Sequence, residues 1–157
     1  MENLQCLKHF LIEKNLSLST CESLTGGMLS STICSLEGAS KFFKGSIVAY
    51  SSELKINLIH VPENIILEKG AVSYETAEYL AKNCAKSLNT NISISTTGVA
   101  GPDSLEGKEV GTVFIGIYYS DETKVCEYRF MGDRESIREQ TTKKAISFLL
   151  EELNKSS

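Results

Sequence analysis

Histidine and tryptophan are scarce in this 157-residue chain, which has two histidines and no tryptophan. It also lacks a Walker A sequence, a G-x-G-x-x-G fingerprint and an H-E-x-x-H pair. These motifs carry the phosphate loops of nucleoside triphosphatases, the dinucleotide sites of Rossmann domains and the zinc sites of many hydrolases. Their absence excludes most proteins of those three classes.

Paired cysteines are missing as well. The five cysteines are odd in number and scattered, and no Cys-x-x-Cys spacing occurs. This pattern argues against a disulfide framework and against a structural zinc site. We therefore expect no resident metal and no cofactor.

Positive charge is in short supply, with 16 lysines and arginines against 20 acidic residues and a formal net charge of −4. No general attraction to nucleic acid or anionic lipid follows, so an anionic ligand would need a local cluster of donors. No segment approaches the roughly 18 apolar residues of a membrane span. We expect a cytoplasmic protein without nucleic-acid or membrane partners.

What the sequence does contain is a regular alternation of strand and helix patterns. The length fits one domain, so we expect residues 1–157 to form a single domain. Candidate strands are 18–23, 45–50, 91–97, 110–119 and 124–130. Helical patterns between them predict an α/β fold, a three-layer α/β/α sandwich with a mostly parallel mixed sheet of about five strands and one antiparallel hairpin.

Two local expectations concern the segments that follow the first two strands. After the first strand, a helix is expected to begin near Thr25. Further along, residues 61–72 are expected to form a loop with one helical turn, because Pro62 stops the preceding helix.

Three hydroxyl-bearing residues end predicted strands. They are Ser23, Tyr50 and Thr97. Because ligands of such sheets bind in a crevice at the carboxyl ends of the strands, we expect these three side chains in one neighbourhood.

The segment T-C-E-S-L-T-G-G, residues 20–27, runs from the first strand into a helix. Glycine at Gly26 and Gly27 lets a ligand approach the main chain, and free N–H groups from Thr25 onward could hold an anion or an oxyanion. The same residue types also serve as simple helix caps, so the pattern alone leaves both interpretations open.

A serine nucleophile needs a base, and neither histidine lies at a strand end. A desolvated lysine can take that role, and Lys55, about one turn into the helix after the second strand, is the natural candidate. The alternative is an exposed helical lysine that pairs with Glu53 or Glu63.

Two further groups could contact a substrate. The loop T-T-G-V-A-G-P after the third strand contains Thr97, Gly98 and Gly101, and it could wrap a ribose or phosphate or be an ordinary turn. Arg134 and Arg138 lie four residues apart at the start of the last helix, which suits a phosphate. Ion pairs with neighbouring glutamates are the alternative.

Seven motifs in this order resemble the CinA C-terminal domain family, and the similarity runs from about residue 4 to residue 153. The motifs are E-S-L-T-G-G (22–27), G-A-S-K-F-F-K-G (38–45), V-A-Y-S-x-x-x-K (48–55), G-A-V-S (70–73), T-G-V-A-G-P (97–102), V-G-T-V (110–113) and G-D-R (132–134). Together they are far more specific than any one alone.

The resemblance implies a nicotinamide-nucleotide amidase, which hydrolyses nicotinamide mononucleotide to nicotinate mononucleotide and ammonia without a metal, in pyridine nucleotide recycling. It implies a serine nucleophile at Ser23, a lysine base at Lys55 and a catalytic tyrosine at Tyr50. Substrate binding would fall to Thr97 and to Arg134 or Arg138. One departure is the Asp103-Ser104 pair, where relatives often have two glycines.

Many relatives carry this domain behind a second, N-terminal domain; here we expect a stand-alone enzyme that could assemble as a homo-oligomer. Its expected partner is a small molecule, nicotinamide mononucleotide. Two alternatives stay open. One is a non-catalytic nucleotide-binding or protein-interaction module of the same fold, and the other is an amidase for another carboxamide.

Overall fold

A five-stranded sheet lies between two layers of helices in the computed structural model, which describes residues 2–155. The strands are β1 (Leu18–Glu22), β2 (Phe43–Val48), β3 (Ile92–Gly98), β4 (Thr112–Tyr119) and β5 (Glu122–Arg129). The α-helices are α1 (Glu2–Glu13), α2 (Met28–Cys34), α3 (Ser52–Asn57), α4 (Glu63–Lys69), α5 (Tyr74–Leu88) and α6 (Arg134–Lys155).

The strand order is β2-β1-β3-β4-β5. Strand β1 pairs in parallel with both β2 and β3, whereas β4 is antiparallel to β3 and to β5. All strands except β4 therefore run in one direction, which confirms the predicted mostly parallel mixed sheet and its antiparallel hairpin.

Three apolar clusters account for the layers. Helices α1, α2 and α6 bury leucines and isoleucines against one face of the sheet, and α5 covers the other face. Strands β1 and β3 are buried on both faces, as expected for strands in the middle of a covered sheet. The predicted α/β/α sandwich is confirmed.

Two local predictions were wrong. Helix α2 begins at Met28 rather than near Thr25, because Gly26 and Gly27 have φ angles of 54° and 103° and form a left-handed turn. Residues 61–72 contain a seven-residue helix, α4, rather than a loop with a single turn; it begins directly after Pro62, whose fixed φ suits a helix start.

The three strands β1, β2 and β3 end at the same edge of the sheet because they are parallel. Ser23 follows β1 directly, Tyr50 comes two residues after β2, and Thr97 is the second-to-last residue of β3. This edge holds the candidate site. Within residues 2–155, no helix is long and apolar enough to cross a membrane.

Candidate active site

A buried lysine meets a serine at the carboxyl edge of the sheet. The Nζ of Lys55 lies 2.9 Å from the Oγ of Ser23. Only 1% of Lys55 is exposed, although it belongs to the short helix α3. The hydroxyl of Ser51 caps that helix by accepting from the Leu54 N–H, which fixes the direction in which the helix leaves the sheet.

Within residues 2–155, Lys55 makes two other side-chain hydrogen bonds, and both are with main-chain carbonyls. Its Nζ donates to the oxygen of Ala49 at 2.8 Å and to that of Tyr50 at 2.9 Å. A carbonyl oxygen can only accept, whereas a serine hydroxyl can accept or donate. In a neutral lysine the two N–H groups therefore go to the carbonyls, and the lone pair is directed at the hydroxyl of Ser23.

Burial lowers the pKa of Lys55 from 10.5 to about 8 because the ammonium loses its hydration. The negative forms of Cys21 and Glu106 oppose this effect and favour the charged amine. No carboxylate within residues 2–155 forms an ion pair with Lys55, so the alternative of an exposed lysine paired with Glu53 or Glu63 is wrong.

A main-chain hydrogen bond to β3 fixes the position of Ser23. Its N–H donates to the carbonyl of Thr96 on β3 at 3.0 Å, and its hydroxyl lies 3.4 Å from the Tyr50 carbonyl. The side chain is 7% exposed, which is enough to border a cavity. The arrangement therefore presents a serine hydroxyl to the cavity on one side and to a buried amine on the other.

Sequence reasoning missed Glu22, the residue immediately before Ser23. Its carboxylate is fully buried and accepts six hydrogen bonds. The donors are Thr25 Oγ1 (2.7 Å), Gly27 N (3.1 Å), Leu29 N (3.0 Å), Ser30 N (2.9 Å), Thr20 Oγ1 (3.1 Å) and Ser46 Oγ (3.2 Å). The sequence feature that could have identified Glu22 is an acidic residue at the end of a buried strand. Glu22 joins β1 to the first turn of α2 and fixes the backbone beside Ser23.

The structure places Thr25, Gly26 and Gly27 outside the cavity. Thr25 is fully buried, and its hydroxyl bonds to Glu22 and, at 2.9 Å, to Thr96. The N–H of Gly26 donates to the Ser23 carbonyl, and that of Gly27 donates to Glu22. The predicted direct contact with substrate therefore needs correction, because the Thr25 hydroxyl and the N–H groups of Gly26 and Gly27 already hold the turn together.

Two main-chain donors in this turn are still available. Within residues 2–155, the N–H groups of Leu24 and Thr25 have no acceptor at hydrogen-bonding distance. Leu24 borders the cavity beside Ser23. Of these two residues Leu24 borders the cavity and Thr25 does not, so the donor available to an oxyanion lies one residue before the predicted segment 25–27.

The cavity next to Ser23 has a volume of about 440 Å³, within the range of small-molecule sites. Its walls include the predicted residues Ser23, Tyr50, Lys55, Thr97, Gly98, Gly101 and Arg134. The hydroxyl of Thr97 donates its proton to the Ala71 carbonyl at 2.7 Å, so only its oxygen lone pairs remain for a ligand. Thr97 therefore shapes the wall of the cavity.

Arg134 reaches the cavity from the start of α6. It donates to the carbonyl of Gly101 at 2.5 Å and to the hydroxyl of Tyr50 at 3.0 Å. These contacts join the loop after β2 to the loop after β3. Of the two candidate arginines, this one is available to an anionic ligand.

Arg138 lies outside the cavity. Its guanidinium donates to the carbonyls of Leu24 and Thr25 at 2.8 Å and 3.1 Å, and it also pairs with Glu135. The predicted substrate contact of Arg138 therefore needs correction, because its donors stabilise the turn that follows Ser23. The alternative of an ion pair with a neighbouring glutamate is present in the structure.

Two carboxylates border the same cavity, those of Asp103 and Glu106. Neither carboxylate belongs to a metal cluster, since no group of three or more His, Cys, Asp or Glu side chains within residues 2–155 is placed to hold a metal ion. The cavity thus combines the cations Lys55 and Arg134 with two acidic residues.

Comparison with known proteins gives a consistent result. The model of the CinA C-terminal domain matches residues 3–153. The chain belongs to the CinA C-terminal domain family. The seven sequence motifs therefore identified the family correctly.

Relatives of this CinA-family chain are similar in sequence and in fold. A CinA-like protein from Dictyoglomus turgidum is 44% identical over 143 residues, which cover 90% of this chain and 34% of that protein. The chain spans about a third of the length of the curated relatives it matches. The crystal structure of competence damage-inducible protein A (ComA) from Klebsiella pneumoniae superposes with a TM-score of 0.95 and 27% identity, covering 98% of this chain and 96% of that one.

Proposed function

We propose that this protein is an amidohydrolase that converts nicotinamide mononucleotide to nicotinate mononucleotide and ammonia in the cytoplasm, as a step in pyridine nucleotide recycling. The observation that carries the proposal is the contact between the buried amine of Lys55 and the hydroxyl of Ser23. A buried lysine without an anionic partner is costly, and such groups are typical of catalytic sites.

In the first step, the Oγ of Ser23 attacks the carboxamide carbon while its proton passes to the lone pair of neutral Lys55. The tetrahedral intermediate carries an oxyanion, and the N–H of Leu24, which borders the cavity and has no acceptor within residues 2–155, is a donor available to hold it. The ammonium of Lys55 then returns its proton to the leaving nitrogen. The carbon–nitrogen bond breaks, and ammonia and an ester of Ser23 are formed.

In the second step, water takes the place of the serine hydroxyl. Lys55, neutral again, accepts a proton from the water as it attacks the ester carbonyl. Collapse of this intermediate returns the Lys55 proton to Ser23 and gives the carboxylic acid, which releases its own proton to solvent to form the carboxylate product. No redox change occurs at any step, and water is the only reactant required besides the carboxamide.

The cavity also suits the rest of the substrate. Arg134 offers a guanidinium to the 5′-phosphate, which is the pairing that this side chain favours. The pyridinium ring carries a positive charge, and Asp103 and Glu106 border the cavity. Tyr50 links the two ends of the site, because its carbonyl accepts from Lys55 and its hydroxyl accepts from Arg134.

The test is ammonia release by the purified protein from nicotinamide mononucleotide, with free nicotinamide and nicotinamide riboside as comparison substrates. Ser23→Ala protein serves as the blank for contaminating amidases. Release from the mononucleotide that is absent with Ser23→Ala supports the proposal. Ammonia release only from another carboxamide would show that the substrate assignment is wrong. Binding of the mononucleotide without turnover of any carboxamide would show that the protein is a nucleotide-binding module rather than an enzyme.

A further inference from the structure

A short hairpin borders the same cavity as Ser23. It lies in the loop between β3 and β4, where Leu105 and Lys108 form a β-bridge. Between them, Glu106 reaches the segment that joins α4 to α5, residues 70–73. The hairpin and this segment together form one wall of the cavity.

The carboxylate of Glu106 binds two consecutive main-chain N–H groups. Its Oε2 accepts from Ala71 at 2.9 Å, and its Oε1 accepts from Val72 at 3.0 Å. Lys108 adds to this connection from the same hairpin, since its Nζ donates to the carbonyls of Lys69 and Val72. Charge-assisted bonds to a carboxylate are roughly twice as strong as neutral ones, so this contact fixes the segment firmly.

Two residues of the segment 70–72 line the same cavity as Ser23 and Lys55. The Ala71 carbonyl accepts from Thr97 at the end of β3, and Ala71 and Val72 border the cavity. A Cβ at Gly70 would lie 2.5 Å from Oε1 of Glu106, so the hairpin and the segment 70–73 are packed tightly against each other. The position of this wall therefore depends on Glu106.

Glu106 also acts on Lys55 through its charge, because its negative carboxylate raises the pKa of the amine against the effect of burial. Other titratable or charged groups lie near Lys55 and Glu106. Cys21 acts on Lys55 from β1, Lys108 lies 3.4 Å from Oε1 of Glu106, and Asp103, Tyr50 and Arg134 border the cavity.

We propose that Glu106 is a positioning residue of this amidase site, which fixes the wall formed by residues 70–72 and supplies negative charge to the cavity that receives a cationic ring. The inference rests on the proposed function and deepens it. It assigns to the site a preference for carboxamides on positively charged rings.

Glu106→Gln is the diagnostic variant, because glutamine has the same length but no charge. One oxygen can still accept from a main-chain N–H, whereas the side-chain NH₂ group cannot accept from the other. We expect KM for nicotinamide mononucleotide to rise about tenfold, the ratio that one lost interaction of about 1.4 kcal/mol produces. We also expect the midpoint of the rise in kcat with pH to move to lower pH, since the charge that favours protonated Lys55 is gone.

Two measurements need no substrate. Carbon-13 NMR of labelled lysine follows the titration of Lys55, and hydrogen exchange reports the amides of Ala71 and Val72. In Glu106→Gln the Lys55 midpoint should fall and both amides should exchange faster. Glu106→Asp, which keeps the charge but is too short to reach both N–H groups, should speed exchange and leave the Lys55 midpoint near that of the wild type.

Glu109→Gln is the matched control. Glu109 follows the same hairpin, and among residues 2–155 the one ion pair of its side chain is with exposed Arg129, at 3.3 Å. It should change none of these values. A Glu106→Gln protein with wild-type Lys55 titration and wild-type amide exchange would overturn the inference. If the wild type releases no ammonia, the proposed function fails separately, and the titration and exchange still decide the role of Glu106.

Discussion

The amine of Lys55 and the hydroxyl of Ser23 are 32 residues apart in the chain and 2.9 Å apart in the structure. Two carbonyls, those of Ala49 and Tyr50, occupy the other bonding directions of the amine. Because carbonyls cannot donate, the neutral amine has one direction left for its lone pair, and Ser23 lies there. The geometry thus prepares Ser23 for proton transfer before any substrate binds.

Removing the hydroxyl of Ser23 should abolish turnover. We expect Ser23→Ala to lower kcat by at least about a thousandfold, because loss of a covalent nucleophile normally costs several orders of magnitude. Ammonia release measures the effect, and circular dichroism checks the fold. Ser31→Ala, on the exposed side of α2, is the matched control and should behave as wild type. Retention of a tenth of the activity by Ser23→Ala would contradict the assignment.

The pH dependence of kcat should follow Lys55. With a pKa of about 8, roughly a tenth of the molecules have the neutral amine at pH 7, and kcat should rise with pH through a midpoint near 8. Lys55→Arg should be as inactive as Lys55→Ala because guanidinium does not release its proton near neutral pH. Lys41→Arg, at an exposed position, is the control. Near-normal activity of Lys55→Arg would show that only the charge matters.

Stability should depend on pH through the same lysine. Folding lowers the pKa of Lys55, so between pH 8 and 10.5 the unfolded chain binds a proton that the folded one does not. The free energy of unfolding therefore rises with pH across this window, by about 3 kcal/mol when integrated. Urea titrations of the wild type and Lys55→Met, compared at each pH, isolate this contribution. A difference between the two proteins that does not vary with pH would show that the amine is not perturbed by folding.

The two arginines of α6 should have different effects. We expect Arg134→Ala to raise KM for nicotinamide mononucleotide about tenfold or more, the effect of losing a charge-assisted contact with phosphate. The riboside has no phosphate, so its kcat/KM should change much less in this variant.

Arg138→Ala is the companion variant. It should lower the melting temperature, because it removes the donors to the carbonyls of Leu24 and Thr25. Any loss of activity should affect both substrates equally. An equal loss for both substrates in Arg134→Ala would instead exclude phosphate recognition by that residue.

The sequence by itself determined the order of the strands and of the helices other than α4, the sheet class and the family. It did so because strand alternation, helical periodicity and glycine-bearing turns are local properties that neighbouring residues encode. The sequence also predicted that Ser23, Tyr50 and Thr97 lie near one another, because parallel strands end at one edge of a sheet.

Tertiary structure alone decided that Lys55 is buried and that Arg134, rather than Arg138, borders the cavity. Burial of Lys55 depends on carbonyls and a hydroxyl from separate segments, and an exposed helical lysine has the same local pattern. Residues four apart share a helix face, so spacing could not separate the arginines. Their roles differ because one turn of α6 lies beside the cavity while the next lies against the turn after Ser23.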